Sequence, residues 1–454
     1  MKNKLLFIVI FSLSAISNFA QGYVSIKGKV LTPKSYNEVK LFKAVDGKGQ
    51  VVATTTLSNE GNFGFLYAPE EPGFYALGTD RMNFIIYLKG GEEVNIDLDK
   101  ADAKLNGKNT KENKALYQWN DFAATVRLKS VNFMFTHSNY KDFFPEFEKF
   151  LAGKASIVKQ LKTGNPNFDK QLLSLTDYET DYFAISMLMT PRTIHPEKSQ
   201  YPAYYGTIPS KDKFVDDGVL AFPHGLRMMQ GYASYCSMNV GDKPVGPEEH
   251  TNKCLSYLQT SRLKGEYIVN NQFRRMKSYN QYLDGMKKYE KYLVTPSLKE
   301  RAEAVGTKLY DTRSGSVAAD FTYPDVNGKM VSLSQFKGKV VLVDVWATWC
   351  GPCKKQIPHL INLEKEIHGK DLVVLGVSLD EAKDKQKWLD FIKEKGLGGV
   401  QLHASGWSKI TKDYKITGIP RFMVFDKKGN VVTTDAPRPS DPALKKLLEE
   451  ELKK

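Results

Sequence analysis

The run Val340-Val341-Leu342-Val343-Asp344-Val345-Trp346 leads within a few residues into Cys350-Gly351-Pro352-Cys353, which opens an amphipathic stretch. A continuous apolar, β-branched run of this length reads as a strand buried on both faces. The chain therefore passes from an internal strand into a helix through two cysteines. A two-residue spacer on a first helical turn brings both sulfurs to one edge, the arrangement a reversible dithiol requires. Cys350 falls at the helix N-terminus, where the dipole and free N–H groups stabilise a thiolate, and is the expected attacking thiol. Free cysteine has a pKa of about 8.5, and this position should lower it. Cys353, one turn deeper, is the expected resolving thiol. Gly351 permits close approach, and Pro352 suits an early helical position that needs no N–H.

Two further elements fit this chemistry. Asp344 interrupts the apolar strand, where an ionised carboxylate is costly and its pKa should rise. It is the candidate acceptor for the Cys353 proton; the alternative is a carboxylate facing solvent at a strand end. Ile419-Pro420 directly precedes the apolar run Arg421-Phe422-Met423-Val424-Phe425. A proline there fits a cis peptide in a tight turn, leaving the Ile419 backbone free to pair with an extended substrate peptide. An ordinary trans proline is the alternative.

Around this site the pattern alternates strand and helix from about residue 315. Leu372 to Ser378 reads as a second buried strand, Lys383 to Lys395 as a helix, and Arg421–Phe425 with Val431-Val432-Thr433 as a hairpin. A last helix starts near Pro442. This is an α/β sheet covered by helices. Residues 23–110 instead show short strands between Gly-rich turns, among them Asn59-Glu60-Gly61-Asn62 and Lys89-Gly90-Gly91, which predicts a sandwich-like all-β domain. Residues 111–314 change to helical period. Phe143, Phe147, Phe150 and Leu151 share one face, as do Tyr178, Tyr182, Ile185 and Met189, and Tyr279, Tyr282, Met286, Tyr289 and Leu293. Such aromatic stripes are expected to be core. A helix is expected after Thr295, with Pro296 in its first turn, Ser297 and Glu300 spaced as a capping box, and Leu298, Ala302, Val305 and Leu309 on its buried side. The segment from Pro191 to Pro247 reads as loop with short helices.

Composition bounds the function classes. A chain of 454 residues should hold two to four domains, and 41% hydrophobic content supplies their cores. The net charge of +14 is spread over Lys-rich helical faces, with no nucleic-acid motif. Lys2 and Lys4 ahead of the short apolar run Leu5 to Ile16 read as an export signal, with cleavage after Ala20 or Gly22 and the mature chain beginning near residue 23. An uncleaved anchor is the alternative; after cleavage no stable membrane insertion is expected. The four cysteines are too few for a disulfide-framed scaffold. Spacing leaves open whether Cys236 and Cys254 are bridged. A zinc site at Cys350, Cys353 and His359 lacks a fourth ligand at sensible spacing. No Pro-x-x-x-Thr-x-x-Cys loop is present around Cys350, which argues against peroxide reduction.

Trp349-Cys350-Gly351-Pro352-Cys353, with Pro358 five residues later, resembles the thioredoxin active site, and Thr417-Gly418-Ile419-Pro420 resembles that fold's cis-Pro loop. More specifically, residues 315–454 resemble the TlpA/ResA branch of exported thiol-disulfide oxidoreductases, whose lead-in matches Gly315-Ser316-Val317-Ala318-Ala319-Asp320-Phe321 and Leu333-Ser334-Gln335-Phe336-Lys337-Gly338-Lys339. The resemblance implies a thioredoxin fold and no dissociable cofactor, and the ligand spacing above gives no metal. It implies catalytic roles for Cys350, Cys353 and Asp344, and client contacts at Trp349, Gly351, Pro352, Ile419 and Pro420. It further implies thiol or disulfide client proteins in the periplasm, a membrane electron donor, and reduction as the direction. Residues 23 to about 120 resemble an N-terminal domain family of unknown function often joined to such modules, ending with Asn106-Gly107-Lys108-Asn109 through Trp119. Gln356 stands where many TlpA-like proteins carry Glu, which weakens a specific role in cytochrome c maturation. Gly376 stands where thioredoxin has a Lys. Two alternatives remain in view: a client- or peptide-binding protein whose redox module serves one dedicated partner, and a cytochrome-c-maturation-type reductase.

Overall fold

The structure is a computed structural model that describes residues 22–32, 37–80, 82–99, 102–238, 246–367 and 371–454. The expected export signal, from Lys2 to Ala20, lies outside the described residues. The chain divides into two compact units, one reaching Glu266 and one running from Tyr267 to Lys454.

The first unit begins with eight strands: β1 (Val24–Lys29), β2 (Glu38–Val45), β3 (Lys48–Thr56), β4 (Asn62–Tyr67), β5 (Gly73–Gly78), β6 (Asn83–Leu88), β7 (Glu93–Leu98) and β8 (Ala103–Leu105). They form two four-stranded sheets, β4-β1-β7-β8 and β3-β2-β5-β6. Alternate residues of both sheets, such as Val24, Ile26 and Phe63 from one and Leu41, Leu77 and Ile86 from the other, meet in one apolar core. β5 is buried almost throughout and shows no alternation, and β8 is very short, so neither carries a clear strand signature in the sequence. The β2–β3 hairpin turns at Asp46-Gly47, with φ of 49° and 76°, the left-handed pair its two-residue turn demands. A Cβ at Gly47 would lie 2.7 Å from the Leu226 amide nitrogen, so the turn seats directly on the helix Gly225–Met238.

Helices complete this unit. Thr110 caps the helix Lys111–Phe122, and Asn113 in its first turn reaches the edge strand β6. The Asn113 side chain accepts from the Tyr87 N–H at 2.8 Å and donates to the Tyr87 carbonyl at 2.9 Å, replacing a missing neighbouring strand. Phe143, Phe147 and Phe150 stack along the helix Tyr140–Gln160 as the periodicity predicts, with successive centroids 5.3 and 6.0 Å apart. Met189 corrects the second stripe: it is the last residue of the helix Pro166–Met189 and is exposed. The region expected as loop with short helices contains the fourteen-residue helix Gly225–Met238, whose outward residues Arg227, Gln230, Gly231 and Ser234 keep helical spacing. Cys236 and Cys254 are buried, unbridged thiols, and desolvation pushes Cys236 up to about 12.

In the second unit, Tyr279–Tyr289 and Pro296–Leu309 are helices. Thr295 caps the latter by accepting from the Leu298 N–H; this replaces the expected Ser297/Glu300 capping box, because Pro296 already occupies the first helical position. The α/β part contains β9 (Thr322–Pro324), β10 (Met330–Ser332), β11 (Val340–Trp346), β12 (Leu372–Ser378), β13 (Val400–His403), β14 (Arg421–Phe425) and β15 (Val431–Thr433). The main sheet runs β13-β12-β11-β14-β15. β11 is central, parallel to β12 and antiparallel to β14. This is the thioredoxin-like α/β arrangement expected of the C-terminal region. The helices Gly351–Glu366, Lys385–Lys395 and Pro442–Leu452 accompany it.

Replacing Asn113 by Ala strands two buried backbone groups of β6. It should cost about 2–3 kcal/mol, readable as an earlier urea midpoint at unchanged slope.

Candidate active site

All seven residues of β11 are buried, and their alternation sorts the two faces. Val341, Val343 and Val345 enter one core. Val340 and Leu342 enter the other, with Leu360 and Leu363 of the helix Gly351–Glu366. Trp346 continues this second face into a cluster of Ala347, Cys350, Cys353 and Trp388. Asp344 lies between Leu342 and Trp346 in the same period-two set, so it faces the side of the sheet that this helix covers.

Cys350 is the N-cap of the helix, and its sulfur accepts from the Cys353 N–H at 3.2 Å. The helix begins at Gly351, directly after Cys350. The two cysteines form a disulfide with their Cα atoms 5.3 Å apart. Both are nearly buried, whereas Trp349 beside them is 54% exposed. A side chain at Gly351 would meet nothing within 4 Å in this chain, so its smallness concerns only what approaches from outside. Pro352 lies in the first turn. The Ile419–Pro420 peptide is cis, and Ile419 packs against the cluster that holds both cysteines. Gln356 is buried, with its Oε1 accepting from the Ser440 N–H at 3.1 Å.

Asp344 is 6% exposed, and burial alone pushes its carboxyl up to about 8. The solvent-facing alternative is thus excluded. In register, Asp344 pairs with Gly376 on β12, and Gly376 with Gln401 on β13. Any side chain at Gly376 would collide with the Gln401 amide, which lies over the glycine. Among the described residues, Asp344 Oδ1 and Gln401 Oε1 are both buried without a hydrogen-bond partner. A protonated Asp344 brings the donor that two acceptors on one row lack.

A second buried carboxylate escaped the sequence reading. Asp380 follows β12 and is fully buried. It accepts from the Thr348 N–H at 3.2 and 3.0 Å, from the Thr348 hydroxyl at 2.7 Å and from the Ser378 hydroxyl at 2.7 Å. It therefore pins the backbone two residues before Cys350. His403, at the end of β13, packs its ring edge-on against Trp388 at 5.0 Å; desolvation lowers its pKa, against the pull of Asp380. The available signal was positional: polar residues directly after parallel strands collect at the carboxyl edge of a sheet, where sites form.

Residues 313–448 match the Redoxin family. The thiol-disulfide oxidoreductase ResA of Bacillus thuringiensis subsp. konkukian (strain 97-27) is 32% identical over 127 residues, which cover 28% of this chain and 71% of that protein. The thiol:disulfide interchange protein HelX of Rhodobacter capsulatus is 32% identical over 111 residues, covering 24% of this chain and 60% of HelX. A solved thiol-disulfide oxidoreductase from Bacteroides fragilis NCTC 9343 is 29% identical, covers 30% of this chain and 98% of its own, and superposes with a TM-score of 0.28.

Two variants probe the buried acids. Between the ordinary carboxylate range and about pH 8, folded Asp344 keeps a proton that the unfolded chain has released, so stability falls as pH rises through that window. Asp344→Asn should therefore be more stable than wild type near pH 9, by on the order of 2–5 kcal/mol, and equal to it near pH 4. Denaturant titrations at the two pH values read this directly; a gap independent of pH contradicts it. Asp380→Ala removes the acceptor for one buried N–H and two hydroxyls and should cost about 2–4 kcal/mol, with Asp380→Asn costing less.

Proposed function

This chain belongs to the thiol-disulfide oxidoreductases that include ResA, and we propose that it reduces disulfide bonds of exported client proteins in the periplasm. The observation that carries the reading is the Cys350 sulfur capping a helix and accepting the Cys353 N–H, beside a cis-Pro loop whose Ile419 packs on the same cluster. A negative charge developing on that sulfur meets an N–H donor and the positive end of the helix dipole.

The cycle starts from the dithiol. The Cys350 thiolate attacks one sulfur of the client disulfide, forming a mixed disulfide and expelling the other client sulfur as a thiolate. Cys353 then loses its proton, and Asp344 is the acceptor assigned here. Its face of the sheet and its raised pKa suit a group that takes up and gives back one proton near neutrality. The Cys353 thiolate attacks the Cys350 sulfur, breaks the mixed disulfide and releases the second client thiolate. Two electrons have passed to the client, and the chain is left with the Cys350–Cys353 disulfide. A membrane-held dithiol donor restores the reduced form by the same exchange. Trp349, exposed beside the cysteines, and the Ile419-Pro420 backbone offer an aromatic face and a hydrogen-bonding edge to an extended client segment. Gly351 and Pro352 leave that approach uncluttered.

Export rests on the N-terminal sequence signal. Among the described residues, no helix is long and apolar enough to cross a membrane.

The reduced full chain should catalyse insulin reduction, and Cys350→Ala should abolish it. Cys353→Ala should accumulate mixed disulfides with clients when expressed in the exporting host, visible as thiol-sensitive bands on non-reducing gels. Catalysis absent even after chemical reduction, together with no trapped clients, sinks the reductase reading. A reduction potential well above that of the compartment would reverse the direction.

A further inference from the structure

Within the second unit, a cavity of about 590 Å³ opens beside the cis-Pro loop. Its wall carries Arg274, Arg275, Lys277, Arg301, Lys308 and Lys415, and among the described residues no carboxylate lines it. Val269, Met276, Val305 and Leu309 also line it, and Thr417 lies at its edge, two residues before Ile419. The cations come from separate parts of the fold. Arg274 and Arg275 lie in a short turn after the helix Ser261–Asn271, Arg301 and Lys308 on the helix Pro296–Leu309, and Lys415 on the loop leading to Pro420.

These parts are fastened together inside the unit. The buried Arg421 donates to the carbonyls of Lys277 at 3.4 Å and Thr434 at 2.9 Å. Gln281 donates to Asp435 at 2.8 Å, and Lys277 approaches the same carboxylate at 3.8 Å. Asp435 thus offsets Lys277 from outside the cavity. Folding has gathered cationic side chains around an apolar lining, next to the loop proposed to hold the client. Such a concentration of one sign raises the local concentration of an oppositely charged partner and speeds its encounter.

We propose that this cavity receives an acidic segment of the client polypeptide while the client's disulfide meets Cys350; the proposal rests on the reductase reading above. A peptide paired along the Ile419 backbone is extended, and the two residues from Ile419 to Thr417 span roughly 7 Å. Acidic side chains a few residues from the client cysteine would then reach Lys415 and the cations behind it, while neighbouring apolar side chains meet Val305 and Leu309.

The test uses the full chain and three disulfide-bridged peptides of equal length, whose flanks are Glu/Leu, Gln/Leu or Lys/Leu. Reduction of the acidic peptide should exceed that of the neutral one by about tenfold in kcat/KM at low salt, chiefly through KM, and the gap should narrow to about twofold near 0.5 M salt. The triple variant Arg274→Glu, Lys308→Glu, Lys415→Glu should lose this preference yet reduce the neutral peptide at the wild-type rate. The milder set Arg274→Gln, Lys308→Gln, Lys415→Gln should fall between. Equal kcat/KM for the three peptides overturns the proposal and leaves the reductase reading standing, as does an acidic preference that survives both variants. No turnover of any peptide removes the reductase reading, and this proposal with it.

Discussion

β11 is buried along its length and on both faces, and the active end of the second unit depends on that constraint. A strand with no exposed face must have sheet neighbours on either side and helices above and below. β12 and β14 supply the first, and the helix that starts at the cysteines supplies part of the second. Because the strand is fixed from every side, the turn that leaves it delivers Cys350 to a defined point. Because its surroundings are apolar, its one carboxylate is pushed up to about 8. A firmly held Cys350 and a carboxyl tuned toward neutrality are two results of the same burial.

Polar groups at the carboxyl edge of the sheet complete that definition. Asp380 spends its acceptor capacity on Thr348 and Ser378, so the stretch leading to Cys350 is held by hydrogen bonds as well as by packing. Gln401 reaches over Gly376 toward the strand that carries Asp344. In the first unit the same economy of groups serves structure: a single Asn113 side chain satisfies both backbone groups of Tyr87 on an edge strand. In the second unit the buried Asp380 instead holds the backbone two residues before the Cys350–Cys353 pair.

Much of this was legible in the sequence because its signals are local. An unbroken β-branched run, a Cys-Gly-Pro-Cys turn and a proline before an apolar strand each carry their meaning within a few residues. Period two in 23–110 and period 3.6 in the middle region mark sheets and helices for the same reason. What escaped had no local signature. β5 lacks alternation because nearly all its residues are buried. Thr295 displaced Ser297 as a cap because a proline at the next position settled where the helix starts.

The sequence by itself determined the redox pair and the type of fold that presents it, since these follow from spacing and apolar pattern along the chain. The tertiary structure alone decided which distant residues gather at that end of the sheet and around the neighbouring cavity. Asp380, Gln401 and His403 lie at strand ends or on a neighbouring strand, and Lys308 and Lys415 are over a hundred positions apart. They meet because a parallel sheet stacks strand ends that are remote in sequence and because helices ahead of the sheet pack within the same unit. Burial, and with it the raised pKa of Asp344, is likewise a property of the assembled core. A carboxylate has no desolvation cost until the chain around it has closed.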